Sequence, residues 1–317
     1  MPEPPSSPAE PNPPTPNGKP RRFATLARRS GSATTLWALV LAAVILQNSL
    51  LGFACIALIA FRAIWEYFKF VPGPLGWSYQ LFGYLLGATY LGGSFVSFYF
   101  RGNLDSSAID SAAVVAALLG VFLPPIYAKS LEGKKTLADM GFTLLGFFYV
   151  FFLFNYVTKL LFLPPGSGGM TISGSLFVLY LIVVTKFSDM GAYVIGSWLG
   201  RNKMIRHVSP AKTWEGLGGA VLFSLLGSFL LVLIFPKQLA PITLLHAGIL
   251  GVVLSLTAVM GDLAESVLKR SVDVKDSGDV FPGIGGVLDL IDSILFTAPV
   301  LYLYLKYMFP ASAWPAP

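Results

Sequence analysis

The sequence predicts an all-α polytopic membrane protein of about nine transmembrane helices, with a chemical site at the cytoplasmic ends of its C-terminal helices. Three observations carry this prediction. Of the 317 residues, 55% are hydrophobic and 12% charged, where soluble domains hold roughly 45–50% apolar and about 25% charged residues; the mean hydropathy is +0.69. Apolar stretches of the roughly 20 residues that a helix needs to cross a bilayer core recur at 34–50, 51–68, 79–100, 108–127, 139–162, 173–199, 216–235, 243–266 and 288–309. Finally, the polar residues concentrate in a few segments of the C-terminal half. This balance excludes a soluble enzyme, a disordered scaffold and a secreted disulfide-rich module. The single cysteine, Cys55, excludes an internal disulfide framework and a multi-cysteine zinc site, and two histidines, His207 and His246, leave little room for histidine-based metal binding.

Taken in chain order, residues 1–32 read as a disordered, Pro-rich, basic cytoplasmic tail. Nine of the first 20 residues are proline, and Lys19, Arg21, Arg22, Arg28 and Arg29 follow, a composition that cannot build a core. Residues 33–317 read as one transmembrane domain. The first span runs into the second across Gln47-Asn48-Ser49 with no small-residue cleavage site, which predicts an uncleaved helix rather than a signal peptide. Pro124-Pro125 and Pro299 fall inside spans, where proline is tolerated. With the N-terminus in the cytoplasm, 17 of the 22 Lys and Arg fall on that side: the five of the tail, then Arg62, Lys69, Lys129, Lys134, Lys135, Arg201, Lys203, Arg206, Lys212, Lys269, Arg270 and Lys275. The positive-inside rule therefore orients the chain. The net charge of +6 and pI of 9.3 describe this topology and require no nucleic-acid partner.

Three polar segments stand out. In the sixth span, Lys186 and Asp189 lie three residues apart on one helix face. Charges at that depth call for a partner or a wet cavity, so the pair reads either as an internal salt bridge or as the wall of a substrate cavity. The loop 201–215 is basic and ends in Ser209-Pro210-Ala211-Lys212-Thr213-Trp214-Glu215-Gly216, hydroxyls and a cation just before a helix, where N-terminal amides favour anions such as a nucleotide phosphate. The third segment, 261–293, is the richest. Asp262, Glu265, Ser266 and Lys269 share one face of span eight, and Asp289, Asp292 and Ser293 repeat that spacing at the start of span nine. Between them runs a loop with Lys275, Asp276, Asp279, Gly278, Gly283, Gly285 and Gly286. Two acidic helix ends bridged by a glycine-rich basic loop suit a hard cation and a triphosphate, and oxygen donors favour Mg²⁺ over zinc or iron.

The run Ser266-Val-Leu-Lys269-Arg270, then Lys275-Asp276-Ser-Gly278, then Phe281-Pro282-Gly283-Ile284-Gly285-Gly286-Val-Leu-Asp289-Leu290-Ile-Asp292 resembles the signature of the phosphatidate cytidylyltransferases, or CDP-diacylglycerol synthases. Asp189-Met-Gly-Ala-Tyr, the 209–216 segment and the Trp65-Glu66 pair are similar to further motifs of that family. The likeness covers about residues 34–309. Two positions depart from it: Ile284 stands where many members carry histidine, and Leu290 where many carry arginine. The resemblance implies transfer of a cytidylyl group from CTP to phosphatidate, releasing diphosphate, in phospholipid biosynthesis; the short loops and compact size lead us to expect a multi-pass protein of a bacterial plasma membrane. It implies Mg²⁺ on Asp262 and Asp289 with Asp292 assisting, and it allows a second, monovalent cation and a homodimer. Lys269, Lys275 and Arg270 are expected to neutralise phosphate. Ser209, Lys212 and Thr213 are expected to contact nucleotide, with Glu215, Asp189, Glu265, Ser266 and Asp276 around the cavity and Gly285 and Gly286 approaching phosphates. The competing readings are a CTP-dependent lipid kinase, an inactive homologue and a secondary transporter using Lys186 and Asp189; for the last, the charges gather at one face and no inverted repeat is visible.

Overall fold

A computed structural model describes residues 48–71, 75–101, 107–163, 174–239, 241–272 and 285–309. The expected tail, most of the first span and the loop with Lys275, Asp276, Gly278, Gly283 and Ile284 lie outside them. Within them, eight helical spans are long and apolar enough to cross a membrane, each close to a stretch expected from hydropathy, and the chain is an all-α polytopic membrane protein.

Helix α1 (Ser49–Phe70) starts at Asn48, whose Oδ1 accepts the amides of Leu50 and Leu51 at 3.0 and 3.1 Å, a side-chain cap for orphan N–H groups. Next come α2 (Trp77–Arg101) and α3 (Ser107–Gly120), which the short α4 (Leu123–Ile126) extends through Pro124-Pro125. The next span is continuous but not uniform: α5 (Lys134–Gly146) passes through a π-helical turn (Phe147–Phe152) into α6 (Leu153–Leu161). Such turns are rare and insert an extra residue per turn. This one sets the Tyr149 ring edge-on to Phe296, with centroids 6.4 Å apart.

Helices α7 (Ser175–Leu199), α8 (Trp214–Ile234), α9 (Leu244–Ser271) and α10 (Val287–Met308) complete the bundle. Apolar side chains gain nothing from leaving lipid for another apolar helix, so membrane helices associate where small residues let backbones touch. At the α7–α8 crossing, a Cβ on Gly191 or Gly219 would strike the other's carbonyl oxygen. Residues 201–215, expected as a loop, instead form a small antiparallel hairpin, β1 (Lys203–Ile205) with β2 (Ser209–Thr213), pairing Lys203 with Thr213 and Ile205 with Ser209. Helix α10 is the most enclosed of the described spans and packs on α9, α6, α7 and α1. Whatever its first turns carry is therefore held from several sides.

Candidate active site

The i, i+4 spacing on α9 brings Lys269 onto Glu265, with Nζ 2.6 Å from Oε2. The same ammonium lies 2.7 Å from Oδ1 of Asp289 on α10. The second oxygen of Asp289 accepts the Gly286 amide at 2.6 Å, closing the first turn of α10. Gly285, at φ +107°, adopts a backbone that L side chains avoid, and the Asp289 carboxylate occupies the place a Cβ would take. Ser266 and Arg270 lie one residue beyond Glu265 and Lys269, half-buried and exposed respectively.

A second group of charges lies alongside. Lys186 Nζ is 2.9 Å from Asp189 Oδ2 on α7, and Asp189 Oδ1 accepts from the Ser293 hydroxyl at 3.3 Å. Lys212, on β2, reaches Asp262 at 2.9 Å and the Val259 carbonyl at 3.2 Å. Asp292, buried, accepts the Ser293 amide at 2.5 Å and sits in the field of Lys186, Asp262 and Asp189. The extended bounds of α9 and α7 put Asp262 nine residues and Asp189 ten residues inside their helices. Asp262, expected at a helix end, is thus well within its span.

The segment before α8 divides by role. Thr213 is buried, and its hydroxyl caps α8 by accepting the Gly216 amide at 3.1 Å. Glu215 accepts the backbone amides of Arg201 and Asn202 at 3.2 Å and the Asn202 side-chain amide at 2.7 Å, tying the hairpin to the helix. Ser209 is half-buried in β2. Lys212 is the member of this segment whose charged end reaches the carboxylates. Lys275 and Asp276 lie outside the described residues.

Two residues here escaped the sequence reading. Glu66, noted there merely as half of a familiar pair, is buried at the start of α10; a lone acid in an apolar span was the available signal. Tyr149 is the one hydroxyl in Phe-Phe-Tyr-Val-Phe-Phe. It is buried with no hydrogen-bond partner for its hydroxyl, in the field of Glu265, Asp292, Asp262 and Asp289. Nothing in its sequence context distinguishes it from a core aromatic.

Among the described residues, five carboxylates (Asp189, Asp262, Glu265, Asp289, Asp292) thus face three lysines (Lys186, Lys212, Lys269). Carboxyl groups outnumber lysines here by two, and each one left ionised without a cation inside a membrane span is expensive, at about 2.5–3.5 kcal/mol on insertion scales. The excess suits one divalent cation. No group of three acidic, histidine or cysteine side chains among the described residues forms a ready-made metal cage. Mg²⁺ does not need one, since it is usually held by one or two carboxylates together with substrate phosphates. The oxygen-rich donor set is compatible with a hard divalent ion.

A family model described as the cytidylyltransferase family matches residues 27–308. Phosphatidate cytidylyltransferases of Bacillus subtilis and Synechocystis are 36% and 33% identical to this chain, over 60% and 63% of it and 66% and 75% of their own lengths. An uncharacterized Escherichia coli protein, YnbB, is 38% identical over 51% of this chain. The chain spans 52% of the length of that protein and just under two thirds of the Bacillus one. The matched family region contains every acidic and basic residue of the two charge clusters. The chain belongs to the cytidylyltransferase family, a family of nucleotidyltransferases.

Proposed function

We propose that the protein is a phosphatidate cytidylyltransferase: CTP and phosphatidate give CDP-diacylglycerol and diphosphate. The observation that carries this reading is the membrane-embedded charge cluster, five carboxylates against three lysines on α7, β2, α9 and α10. Such a cluster suits polyanions that arrive with a divalent ion. The named relatives supply the substrates.

An oxygen of the phosphatidate monoester attacks the α-phosphorus of CTP. A new P–O bond forms, the bond from the α-phosphorus to the β-phosphate oxygen breaks, and diphosphate leaves with that electron pair. The lipid phosphate is already the nucleophile, so the protein needs to align and neutralise rather than to form a covalent intermediate. Lys212 and Lys269, each now held by carboxylates, are the cations placed to exchange those partners for phosphate oxygens, with Lys275 and Arg270 assisting. Asp262, Asp289 and Asp292 would hold Mg²⁺, which would supply charge neutralisation at the reacting phosphates. Asp189 orients Lys186 and Ser293. Thr213 and Glu215 act through the hairpin that carries Lys212 and Ser209. The Gly286 amide serves Asp289 in this state, which supports a role for the Gly285-Gly286 pair in setting that carboxylate. The count of basic residues supports an active site facing the cytoplasm, where CTP is found, and its place among membrane spans gives phosphatidate lateral access.

The test uses the purified full chain in mixed micelles with phosphatidate, Mg²⁺ and CTP labelled at the α- or the γ-phosphate. The expected result is α-label in lipid and release of diphosphate. Transfer of γ-label alone would make the protein a lipid kinase, and transfer of neither by folded protein would overturn the reading.

A further inference from the structure

Glu66 belongs to α1, far in sequence from the charged segments, yet its side chain is fully buried against α10. Its Oε2 accepts the Leu288 amide at 2.8 Å, a bond that spans 222 residues. Its Oε1 lies 3.1 Å from Arg62 Nη2. Arg62 in turn stacks over the Trp65 ring, 3.9 Å from its centroid, and Lys69 lies 3.4 Å from the same ring. Arg62 thus lies beside the acid as its counter-charge, while Oε1 accepts no hydrogen bond and the bond to α10 is made by Oε2 alone.

Leu288 is the second residue of α10, and the first amides of a helix have no acceptor within it. Asp289 takes the Gly286 amide from inside the helix, and Glu66 takes the Leu288 amide from outside. A carboxylate in this place is favoured by the helix dipole, and a charge-assisted bond to a buried amide is short and strong. Asp289 follows Leu288 directly, and Asp292 follows one turn later. A buried glutamate is a costly way to fill space in a membrane span, and an apolar side chain would do that better. What an apolar residue could not do is hold the turn.

We infer that Glu66 is a positioning residue: by clamping the Leu288 amide it fixes the first turn of α10, and with it the Asp289 and Asp292 carboxylates, against α9. It does not touch substrate. The inference rests on the cytidylyl-transfer reading for its effect on turnover, while its structural consequence can be measured without any activity.

The test compares Glu66→Ala and Glu66→Gln in the full-length chain in micelles. Gln keeps an oxygen for the Leu288 amide; Ala keeps none. Ala is expected to lower kcat about ten- to a hundredfold with KM for CTP within about twofold, and Gln to restore most of the loss. Hydrogen exchange of the peptide covering 286–293 should quicken in Ala and stay near the parent rate in Gln, with α2 and α8 unchanged. That measurement stands even if the parent chain transfers no label, a result that would sink the transfer reading alone. Unchanged exchange at 286–293 in Ala would overturn the inference. So would a Gln variant as damaged as Ala with exchange rising across the whole bundle, the mark of a merely structural acid. Should Ala fail to fold, Glu66→Asp keeps the charge but withdraws it by one methylene. The same quickened exchange and lowered kcat are expected, and a fully active Asp variant with parent exchange would overturn the inference.

Discussion

The bundle buries charge in two places, and the two are built differently. At the end of α6 remote from the candidate site, Lys159 Nζ meets Asp110 Oδ2 at 2.6 Å, with the lysine side chain 1% exposed. The Tyr90 hydroxyl donates to the other Asp110 oxygen at 2.8 Å, the ammonium lies 3.9 Å from the Tyr156 ring centroid, and Asn155 donates to Ser94 at 2.9 Å nearby. One cation meets one anion beside aromatic rings, with the Asn155 Oδ1 and Thr158 hydroxyl nearby left without a hydrogen-bond partner. At the α9–α10 site, three lysines serve five carboxylates, Asp262 is 42% exposed at its side chain, and Glu265 Oε1 and the Tyr149 hydroxyl have no hydrogen-bond partner. Buried charge that balances one to one reads as structural. Buried charge with a deficit of partners reads as a site awaiting ligands.

The sharpest break in this comparison should come from the carboxylates. Asp262→Asn and Asp289→Asn are each expected to lower label transfer about a hundredfold or more, as losses of transition-state charge stabilisation do, while melting in detergent changes little. A fully active Asp289→Asn enzyme would remove that residue from the site. At the balanced pair the effects should be reversed: Lys159→Met takes the lysine from Asp110, which keeps the Tyr90 hydroxyl, and should cost on the order of 3 kcal/mol of stability, read as a lowered melting temperature. Turnover per folded molecule should stay at the parent level, and Asp110→Leu added to Lys159→Met should recover much of the stability. A loss of turnover without destabilisation would move the Lys159 cluster into the active machinery.

Smaller effects would sharpen the account. Lys212→Met frees Asp262 of its lysine; turnover should fall about tenfold with the lost phosphate contact, while the Mg²⁺ concentration for half-maximal rate drops. A raised Mg²⁺ requirement would contradict the assignment of Asp262 as a cation ligand. Tyr149→Phe removes a hydroxyl without a partner, so the folded protein should be as stable as the parent or slightly more so, with turnover reduced about threefold. Parent-level turnover would make Tyr149 a packing residue.

The relation of these residues to the sequence is uneven for a physical reason. Helical periodicity alone places Glu265 and Lys269 on one face, and hydropathy alone finds the spans, because both depend on neighbours within one helix. The Lys186–Asp189 pair was legible in the same way, down to its partner. Lys212 on Asp262, Lys269 on Asp289 and Glu66 on Leu288 depend on which helices pack together, and no local pattern encodes that. Nor did any local signal announce the π-helical turn that aims Tyr149, or that Lys159 would find Asp110. Residues 201–215 read as loop because a three-residue strand paired with a five-residue one is too short to show alternation. Thr213 is expected at nucleotide and Glu215 around the cavity; in this structure the Thr213 side chain caps α8 and that of Glu215 holds the hairpin.

The most direct measurement sets Asp262→Asn beside Asp110→Asn in the full chain, scoring α-label transferred from CTP to phosphatidate at matched amounts of folded protein. The expected result is transfer lost in Asp262→Asn with melting preserved, and transfer preserved in Asp110→Asn with melting lowered. Equal transfer in both variants, or loss confined to Asp110→Asn, would contradict the reading of the α9–α10 cluster as the active site.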